Sequence, residues 1–244
     1  GRIVVYKENN SGPDTSVLDV IKDNLADTIK LTPSHLALFK GKDLTHSAIE
    51  KIIVGGEDFK VNLAHSITTA FGSNVRIFNE YGPTEATVGC IVSEYNSEKH
   101  QDGSIPIGTP VANMHAYILD AYKNLVPNGV VGELYLSGAS LADGYMELDE
   151  LSNQKFIENP FVLGQKMYHT GDLARINENG SYEYLGRIDE QVKLRGYRIE
   201  LTDIESNLNN IEGIENCSVV LTQSNRIDIA EEDVINCTEC GLPS

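Results

Sequence analysis

The segment spanning residues 79–87 carries the densest set of chemically useful side chains in this sequence. It holds the aromatic ring of Tyr81, a Gly-Pro pair, the hydroxyl of Thr84 and the carboxylate of Glu85, directly after the apolar run 75–78. Gly-Pro favours a tight reversal, because glycine tolerates unusual dihedral angles and proline fixes its own. Such a loop could present a flat stacking surface and two hard oxygen ligands for Mg²⁺, which together suit a nucleotide. The alternative is a surface turn whose polar groups satisfy only their own backbone.

Alternating strands and helices must position this loop. The pattern in the first third predicts a strand at 3–6, helices at 14–26 and 33–39, a strand at 52–54, a helix at 61–71 and a strand at 75–78. This alternation is typical of a parallel α/β sheet. Loops that follow strands in open parallel sheets lie where ligands bind. The positions of 55–57 and 79–87 therefore favour a binding role for both loops.

The pattern changes at about residue 105 to short extended runs separated by Asn-Gly turns, which indicate hairpins. Past residue 189 it predicts a strand, a helix at 203–210 and a second strand. We therefore predict four parts: an α/β part (1–104), a β-rich part (105–188), the start of a small C-terminal unit (189–226) and an acidic tail or the start of a fused module (227–244).

The composition excludes some classes of partner. The 36 acidic residues outnumber the 19 basic ones, for a formal charge of −17. Nucleic acids and anionic membranes are bound mainly through lysine and arginine, so we expect neither as a partner. No apolar run approaches the 18 residues typical of a membrane span. The first residue is Gly1, at the start of an apolar run, so we expect the sequence to be a piece of a longer protein.

The four cysteines do not have the pattern of a disulfide framework. Cys90 and Cys217 adjoin apolar runs and are expected to be buried and reduced. Cys237 and Cys240 have the spacing of half a zinc site. A tetrahedral site would need two further ligands, so the alternative is an acidic tail without metal.

Four segments occur in the order found in adenylate-forming enzymes. They are 79–87, 132–145, 168–173 and 186–201, and they resemble the motifs of adenylation domains in nonribosomal peptide synthetases. The resemblance spans about residues 1–221. It implies an α/β fold in which a parallel sheet layer with helices adjoins a β-rich distorted barrel, followed by the start of a small, mobile α+β C-terminal subdomain.

The resemblance also implies a two-step reaction. An amino acid and ATP, with Mg²⁺, would give an aminoacyl-AMP and pyrophosphate. The aminoacyl group would then pass to the phosphopantetheine thiol of a peptidyl carrier domain, as part of secondary metabolite biosynthesis in the cytoplasm. The chemistry requires two anions to be brought together and a charged phosphorus centre to be stabilised.

Residue roles follow from the same resemblance. Asn79 would hydrogen-bond the amino edge of adenine and Tyr81 would stack on the ring. Asp172 would bind both ribose hydroxyls, and Arg187 would contact the ribose and phosphate end. The catalytic pair would be Thr84, at the α-phosphate, and Glu85, as the Mg²⁺ ligand. Asp189 would be the hinge residue of the small subdomain.

The resemblance also assigns a pocket for the amino-acid side chain. Lys30 and Glu80 bring opposite charges, which indicates a polar substrate, although either side chain could instead turn outward. The pocket residues are Lys30, Ile53, Gly55, Glu80, Val88 and Gly89.

Two features of the family are missing from these 244 residues. There is no glycine-rich phosphate loop ending in Pro-Lys-Gly, and no lysine follows residue 221. We therefore expect the chain alone to be inactive. Two alternatives stay open: a piece of an acyl- or aryl-CoA ligase, disfavoured by Pro83 and by 198–201, and a non-catalytic binding remnant.

Overall fold

A computed structural model of the chain describes residues 2–6, 16–72, 74–188, 191–194, 197–211, 214 and 217–220. The chain forms two compact units that divide between Ile199 and Glu200. In the second unit, helix α5 (Leu201–Asn209) is followed by a segment that bonds back to it. The backbone N–H of Val219 donates to the carboxylate of Glu205 at 2.8 Å. The first unit contains the candidate site.

Sheet A is the first layer of this unit and contains five strands in sequence order. They are β1 (Thr28–Leu31), β2 (Lys51–Gly55), β3 (Arg76–Tyr81), β4 (Ile91–Glu94) and β5 (Thr109–Pro110). The first three are parallel, as predicted, whereas β4 and β5 pair antiparallel. The sheet is therefore mixed, because the short connection from β3 to β4 can only return the chain in the opposite direction.

Three helices accompany sheet A: α1 (Ser16–Asp23), α2 (Pro33–Leu36) and α3 (Val61–Phe71). The α3 helix buries Ala64 and Ile67 completely, and both belong to a core that also contains Ile52 and Ile77 of the strands. Apolar residues at helical spacing thus meet the alternating apolar residues of two central strands. The predicted helix at 61–71 is confirmed, and the one predicted at 14–26 corresponds to α1. The helix predicted at 33–39 is α2 followed by the 3₁₀ turn Ala37–Phe39. The strand predicted at 3–6 is wrong, because these residues form no strand.

Strand β3 is longer than predicted. The sequence indicated a strand at 75–78 and a loop from Asn79, but β3 continues to Tyr81. Ile77, Asn79 and Tyr81 are buried, whereas the residues between them are more accessible. The face of β3 that carries Ile77, Asn79 and Tyr81 is therefore buried, whereas the opposite face is more accessible. The sequence prediction ends the strand too early because Asn and Glu are uncommon in strands.

Sheet B forms the β-rich layer as a curled half-barrel, which confirms the predicted fold class. Its strands run in the order β10-β9-β7-β6, and β8 pairs with β9. The elements of this region are β6 (Met114–Leu119), β7 (Gly132–Gly138), α4 (Asp149–Lys155), β8 (Phe156–Glu158), β9 (Lys166–Ile176) and β10 (Tyr182–Arg187). A separate two-stranded sheet follows, formed by β11 (Val192–Leu194) and β12 (Tyr197–Ile199).

A bulge in β9 interrupts its pairing with β7. The register moves from Glu133↔Leu173 to Tyr135↔His169, so β9 has two more residues than its partner at this point. Gly171, with φ 75°, lies within the bulge in a conformation that favours glycine. Bulges re-aim the side chains beside them. This one carries Asp172, which faces Arg187 of β10 in the register.

The remaining sequence predictions of the fold concern the cysteines and the membrane. Cys90 is buried, as predicted, but Cys217 is partly exposed, so the prediction of burial is wrong there; neither forms a disulfide. Cys217 is partly exposed because the segment after α5 bonds along the helix surface, where the Cys217 thiol contacts the Glu205 carbonyl oxygen at 3.3 Å. Across the described ranges, no helix is long and apolar enough to cross a membrane.

Candidate active site

Two adjoining clefts meet at the carboxyl end of β3. Cleft 1 has a volume of about 1000 Å³ and is lined by Lys30, Thr84 and Asp172, among others. Cleft 2 has a volume of about 530 Å³, and its lining includes Asn79 and Tyr81. The two clefts share part of their walls, namely Gly56, Glu80, Gly82, Arg187 and Gln191.

Asn79 and Tyr81, both on the buried face of β3, line cleft 2. The Asn79 amide nitrogen donates to the carbonyl oxygens of Ile105 at 2.9 Å and Pro106 at 3.1 Å, which fixes the orientation of the amide. The Tyr81 ring is only 6% exposed, so it is a buried wall of the cleft rather than an open platform. The Tyr184 ring lies 6.1 Å from it at a tilt of 37°.

Asp172 joins three elements at the floor of the clefts. Its carboxylate accepts a hydrogen bond from the Tyr81 hydroxyl, 91 residues away in sequence, and lies 2.9 Å from the Arg187 guanidinium. Arg187 also donates to the Thr170 carbonyl oxygen at 3.1 Å. Burial, reinforced by the Asp172 charge, raises the pKa of Tyr81 well above its ordinary value. The Tyr81 hydroxyl therefore stays protonated and donates.

Glu85 lies in the 3₁₀ turn Thr84–Ala86 and is 8% exposed. Its Oε1 accepts hydrogen bonds from the hydroxyls of Tyr145 at 2.6 Å and Tyr168 at 2.7 Å. Burial raises the pKa of Tyr145, and the bond to Glu85 adds to the effect. Thr84, by contrast, lies on the wall of cleft 1. The two residues predicted as catalytic thus have different surroundings, one open to the cleft and one held by hydroxyls.

The predicted pocket residues cluster at the carboxyl ends of β1 to β3. Lys30 and Glu80 form an ion pair, and the Lys30 side chain is 50% exposed against 15% for Glu80. In the register, Ile53 lies beside Lys30 and Gly55 lies beside Glu80. Four predicted residues line cleft 1 directly: Lys30, Gly55, Glu80 and Val88. Ile53 and Gly89 line neither cleft: Ile53 pairs with Lys30 in the sheet, and Gly89 lies close to the Glu80 side chain.

Two glycines next to the pocket differ in what a larger side chain would meet. A Cβ on Gly82 would run into the backbone carbonyl of Val88, and one on Gly89 would run into the carboxylate of Glu80. The first obstacle is rigid backbone, whereas the second is the end of a flexible side chain. Gly82 therefore allows the tight turn, and Gly89 leaves room for the Glu80 carboxylate.

Sequence reasoning assigned no role to several residues of the site. Tyr145 and Tyr168 hydrogen-bond Glu85, and the Tyr184 ring lies next to Tyr81. Gln191 lines cleft 2 together with Asn79. Each of these residues falls within or near a recognised segment. The sequence offered one usable signal for Tyr168, because it begins the recognised segment 168–173 that also contains Asp172. The contacts of Tyr145 come from a loop, where no periodicity exists.

Some predictions lie outside the described residues. Asp189, Cys237 and Cys240 are among these, so the hinge and the half zinc site stay predictions. Within the described part of the chain, no three His, Cys, Asp or Glu side chains converge on one point.

Comparison with known sequences identifies related proteins. The profile of the family described as AMP-binding enzyme matches residues 1–146. Bacitracin synthase 3 of Bacillus licheniformis is 47% identical over 218 residues, which is 89% of this chain but 3% of that synthase. Tyrocidine synthase 3 of Brevibacillus parabrevis is 48% identical over 205 residues, 84% of this chain and 3% of that synthase. The chain thus spans a small fraction of these relatives.

Solved structures agree with the sequence relatives. Holo-PA1221, an NRPS protein containing adenylation and PCP domains, superposes with a TM-score of 0.79 at 28% identity, over 88% of this chain and 38% of that one. An artificial NpsA-ThdA fusion of adenylation and PCP domains from Klebsiella oxytoca gives a TM-score of 0.72 at 25% identity, over 88% and 40%. The chain belongs to the AMP-binding enzyme family, among the adenylation domains of nonribosomal peptide synthetases.

Proposed function

We propose that this chain supplies the adenosine-binding and substrate-binding part of an amino-acid adenylation domain. The complete enzyme would join an amino acid to ATP and release pyrophosphate. The observation that carries the proposal is the linkage of Tyr81, Asp172 and Arg187 at the floor of two clefts. Residues distant in sequence converge there with buried charge, which is typical of a binding site rather than of a surface turn.

The donor sets fit a magnesium nucleotide. Carboxylate and hydroxyl oxygens of the kind found at Glu85 and Thr84 are the ligands that Mg²⁺ prefers. When bound, ATP supplies the adenylyl group and Mg²⁺ offsets the negative charge of its phosphates. Asp172 would orient the ribose through its carboxylate, and Asn79 would recognise the base from the wall of cleft 2. Arg187 pairs with the Asp172 carboxylate and holds it in place.

The ion pair of Lys30 and Glu80 supports a polar, uncharged amino acid as the substrate. The two charges offset each other, so the pocket has no net preference for a cationic or an anionic side chain. The ammonium group donates hydrogen bonds and the carboxylate accepts them. A substrate side chain that offers both an acceptor and a donor would pair with both partners, whereas an apolar one would leave them desolvated.

A carrier domain is the proposed partner for the second step. The solved relatives named above contain PCP domains next to their adenylation domains. We propose that the aminoacyl group passes to the phosphopantetheine thiol of such a domain. A reaction that consumes ATP in this way belongs in the cytoplasm, where ATP is supplied.

The test is ATP–pyrophosphate exchange by the complete protein that contains this chain, surveyed over all amino acids. Asp172→Asn should raise the Kd for ATP by about 10- to 100-fold, because a hydrogen bond to a charged group contributes roughly 1.5–3 kcal/mol. Asp120→Asn, at an exposed turn, is the control and should leave the Kd unchanged. Exchange should be greatest with polar, uncharged amino acids. An unchanged ATP affinity in Asp172→Asn would overturn the assignment.

A further inference from the structure

The turn that carries Glu85 is held by a loop from sheet B, residues 139–145. The Ala142 backbone N–H donates to the Glu85 carbonyl oxygen at 2.8 Å. The Ser140 hydroxyl donates to the Ala86 carbonyl oxygen at 3.0 Å, and the Thr87 hydroxyl donates to the Ser140 carbonyl oxygen at 2.7 Å. Three bonds in a short span fix the backbone of the turn. The position of the Glu85 side chain is then decided by what its carboxylate contacts.

Two tyrosine hydroxyls converge on one oxygen of that carboxylate. Tyr145 and Tyr168 both donate to Oε1 of Glu85, and their own hydroxyl oxygens are 3.3 Å apart. Tyr168 is completely buried. A carboxylate that receives two donors on the same oxygen is restrained in rotation about its last torsion, because rotation would break both bonds. The oxygens of Glu85 are therefore held in a defined orientation.

The two hydroxyls are themselves fixed by packing. The Phe156 ring lies edge-on to Tyr145 at 5.5 Å and 5.0 Å from Tyr168, so it contacts both tyrosines. The Ser152 hydroxyl accepts from the Tyr145 backbone N–H at 2.8 Å and donates to its carbonyl oxygen at 3.2 Å. Neither tyrosine can turn away without disturbing a packed neighbour. This support comes from β8, β9 and α4, not from the sheet that carries Glu85.

We propose that Tyr145 and Tyr168 are positioning residues that set how tightly Glu85 holds the divalent cation of the nucleotide. The inference rests on the proposed function, in which Glu85 is the protein's carboxylate ligand for that cation. Hydrogen-bond partners that orient a metal ligand commonly change metal affinity by 10- to 100-fold when removed. Each tyrosine acts through Glu85 and needs no contact with the cation.

The experiment uses the complete protein and its Tyr145→Phe, Tyr168→Phe and double variants. These changes keep the rings that pack on Phe156 and remove only the hydroxyls. Binding of Mn²⁺ in the presence of a non-hydrolysable ATP analogue is measured by electron paramagnetic resonance. We expect each single variant to raise the Mn²⁺ Kd by about 10-fold and the double variant to raise it further. In exchange assays, the Mg²⁺ concentration for half-maximal rate should rise, and saturating Mg²⁺ should restore most of the rate.

Tyr182→Phe is the matched control, because its buried hydroxyl donates to the Ala116 carbonyl oxygen at 2.7 Å, away from Glu85. It should lower the melting temperature without changing the Mn²⁺ Kd. Glu85→Gln separates the two proposals. If wild type and Glu85→Gln bind Mn²⁺ equally, the proposed function fails. If Glu85→Gln weakens binding and the tyrosine variants match Tyr182→Phe, only the positioning role is overturned. Should a single variant not fold, as judged by circular dichroism, the other decides.

Discussion

At the scale of residues, the site is built from polar groups whose partners are already arranged within the chain. Tyr81 donates to Asp172, and Asp172 is paired with Arg187. Burying these charges separately would be costly, because an uncompensated buried charge destabilises a protein by several kcal/mol. Pairing them offsets much of that penalty and pre-orients the carboxylate. A ligand then meets a site that requires little reorganisation, which favours affinity.

The glycines beside the pocket lead to a prediction that separates stability from selectivity. Gly82→Ala should lower the free energy of unfolding by about 1–3 kcal/mol, because its methyl group meets the Val88 backbone. That loss corresponds to roughly 2–4 °C in Tm per kcal/mol for a domain of this size. Gly89→Ala should change stability little, because the Glu80 side chain can move aside. Calorimetry of the complete protein measures both.

The same pair of variants should differ in substrate preference. Displacement of Glu80 in Gly89→Ala disturbs its ion pair with Lys30, so the preference among amino acids in the exchange assay should shift. Gly82→Ala should reduce the rate with every amino acid without changing their rank. The opposite pattern, with an altered rank in Gly82→Ala alone, would contradict the assignment of the Lys30–Glu80 pair to the substrate pocket.

At the scale of elements, the bulge in β9 decides where the key carboxylate points. A regular strand would alternate faces and pair with β7 without interruption. The bulge breaks this pairing at Thr170, Gly171 and Asp172, so these residues need other hydrogen-bond partners. The Thr170 hydroxyl donates to the Leu134 carbonyl oxygen at 2.7 Å and accepts from the Asp172 backbone N–H at 3.0 Å. These bonds replace the regular ladder bonds that the extra residues interrupt.

Because Gly171 lies within the bulge, a substitution there should affect both the stability of the fold and the binding of ATP. Gly171→Ala should destabilise the fold by about 1–2 kcal/mol, because φ 75° is strained for a residue with a Cβ. It should also raise the Kd for ATP, because the strain shifts Asp172. Gly180→Ala is the matched control: its φ is 77°, it lies in the β9–β10 turn, and a Cβ there would meet nothing within 4 Å.

Thermal melts and ATP titrations of the complete protein check this prediction. Gly180→Ala should show a comparable loss of stability with an unchanged Kd for ATP. An equal change of Kd in both variants would mean that the effect follows from general destabilisation and not from the bulge.

Sequence reasoning succeeded where periodicity or a turn signal was present. The α3 helix and the Asn-Gly hairpin turn between β9 and β10 were predictable, since both are local patterns. The mixed pairing of sheet A was not predicted, because the sequence analysis placed no strand at Ile91–Glu94, the segment that returns antiparallel to β3. The end of β3 was misplaced because Asn79 and Glu80 are uncommon in strands, yet here their side chains have tertiary partners. The positions of the site residues came from motif resemblance, but their partners, such as Tyr145, came only from the fold.

At the scale of the whole chain, the proposed function would require an acidic chain to bind an anionic nucleotide. The formal charge of −17 opposes ATP at long range, so affinity has to come from local groups. Two of the cationic side chains that line cleft 1, Lys30 and Arg187, are paired with carboxylates, and Arg2 also lines this cleft. Under the proposed function a divalent cation would add to this local positive charge, and we expect ATP affinity to depend more on Mg²⁺ than on the ionic strength of the buffer.

The 244 residues by themselves should not catalyse detectable exchange. The phosphate loop ending in Pro-Lys-Gly and the C-terminal lysine of the family are absent from the sequence. Loss of such groups lowers rates by many orders of magnitude. The measurement is pyrophosphate exchange by the isolated chain beside the complete protein at equal concentration. Exchange by the isolated chain clearly above the background without enzyme would contradict this expectation.

The alternation of faces along β3 has a consequence for how such a protein can change over time. Asn79 and Tyr81 line cleft 2 alone, whereas Glu80 between them pairs with Lys30 at cleft 1. Under the proposed function, one strand would serve the nucleotide with Asn79 and Tyr81 and the amino acid with Glu80. A mutation at Glu80 would then be expected to change the preferred amino acid while the contacts to ATP are inherited unchanged.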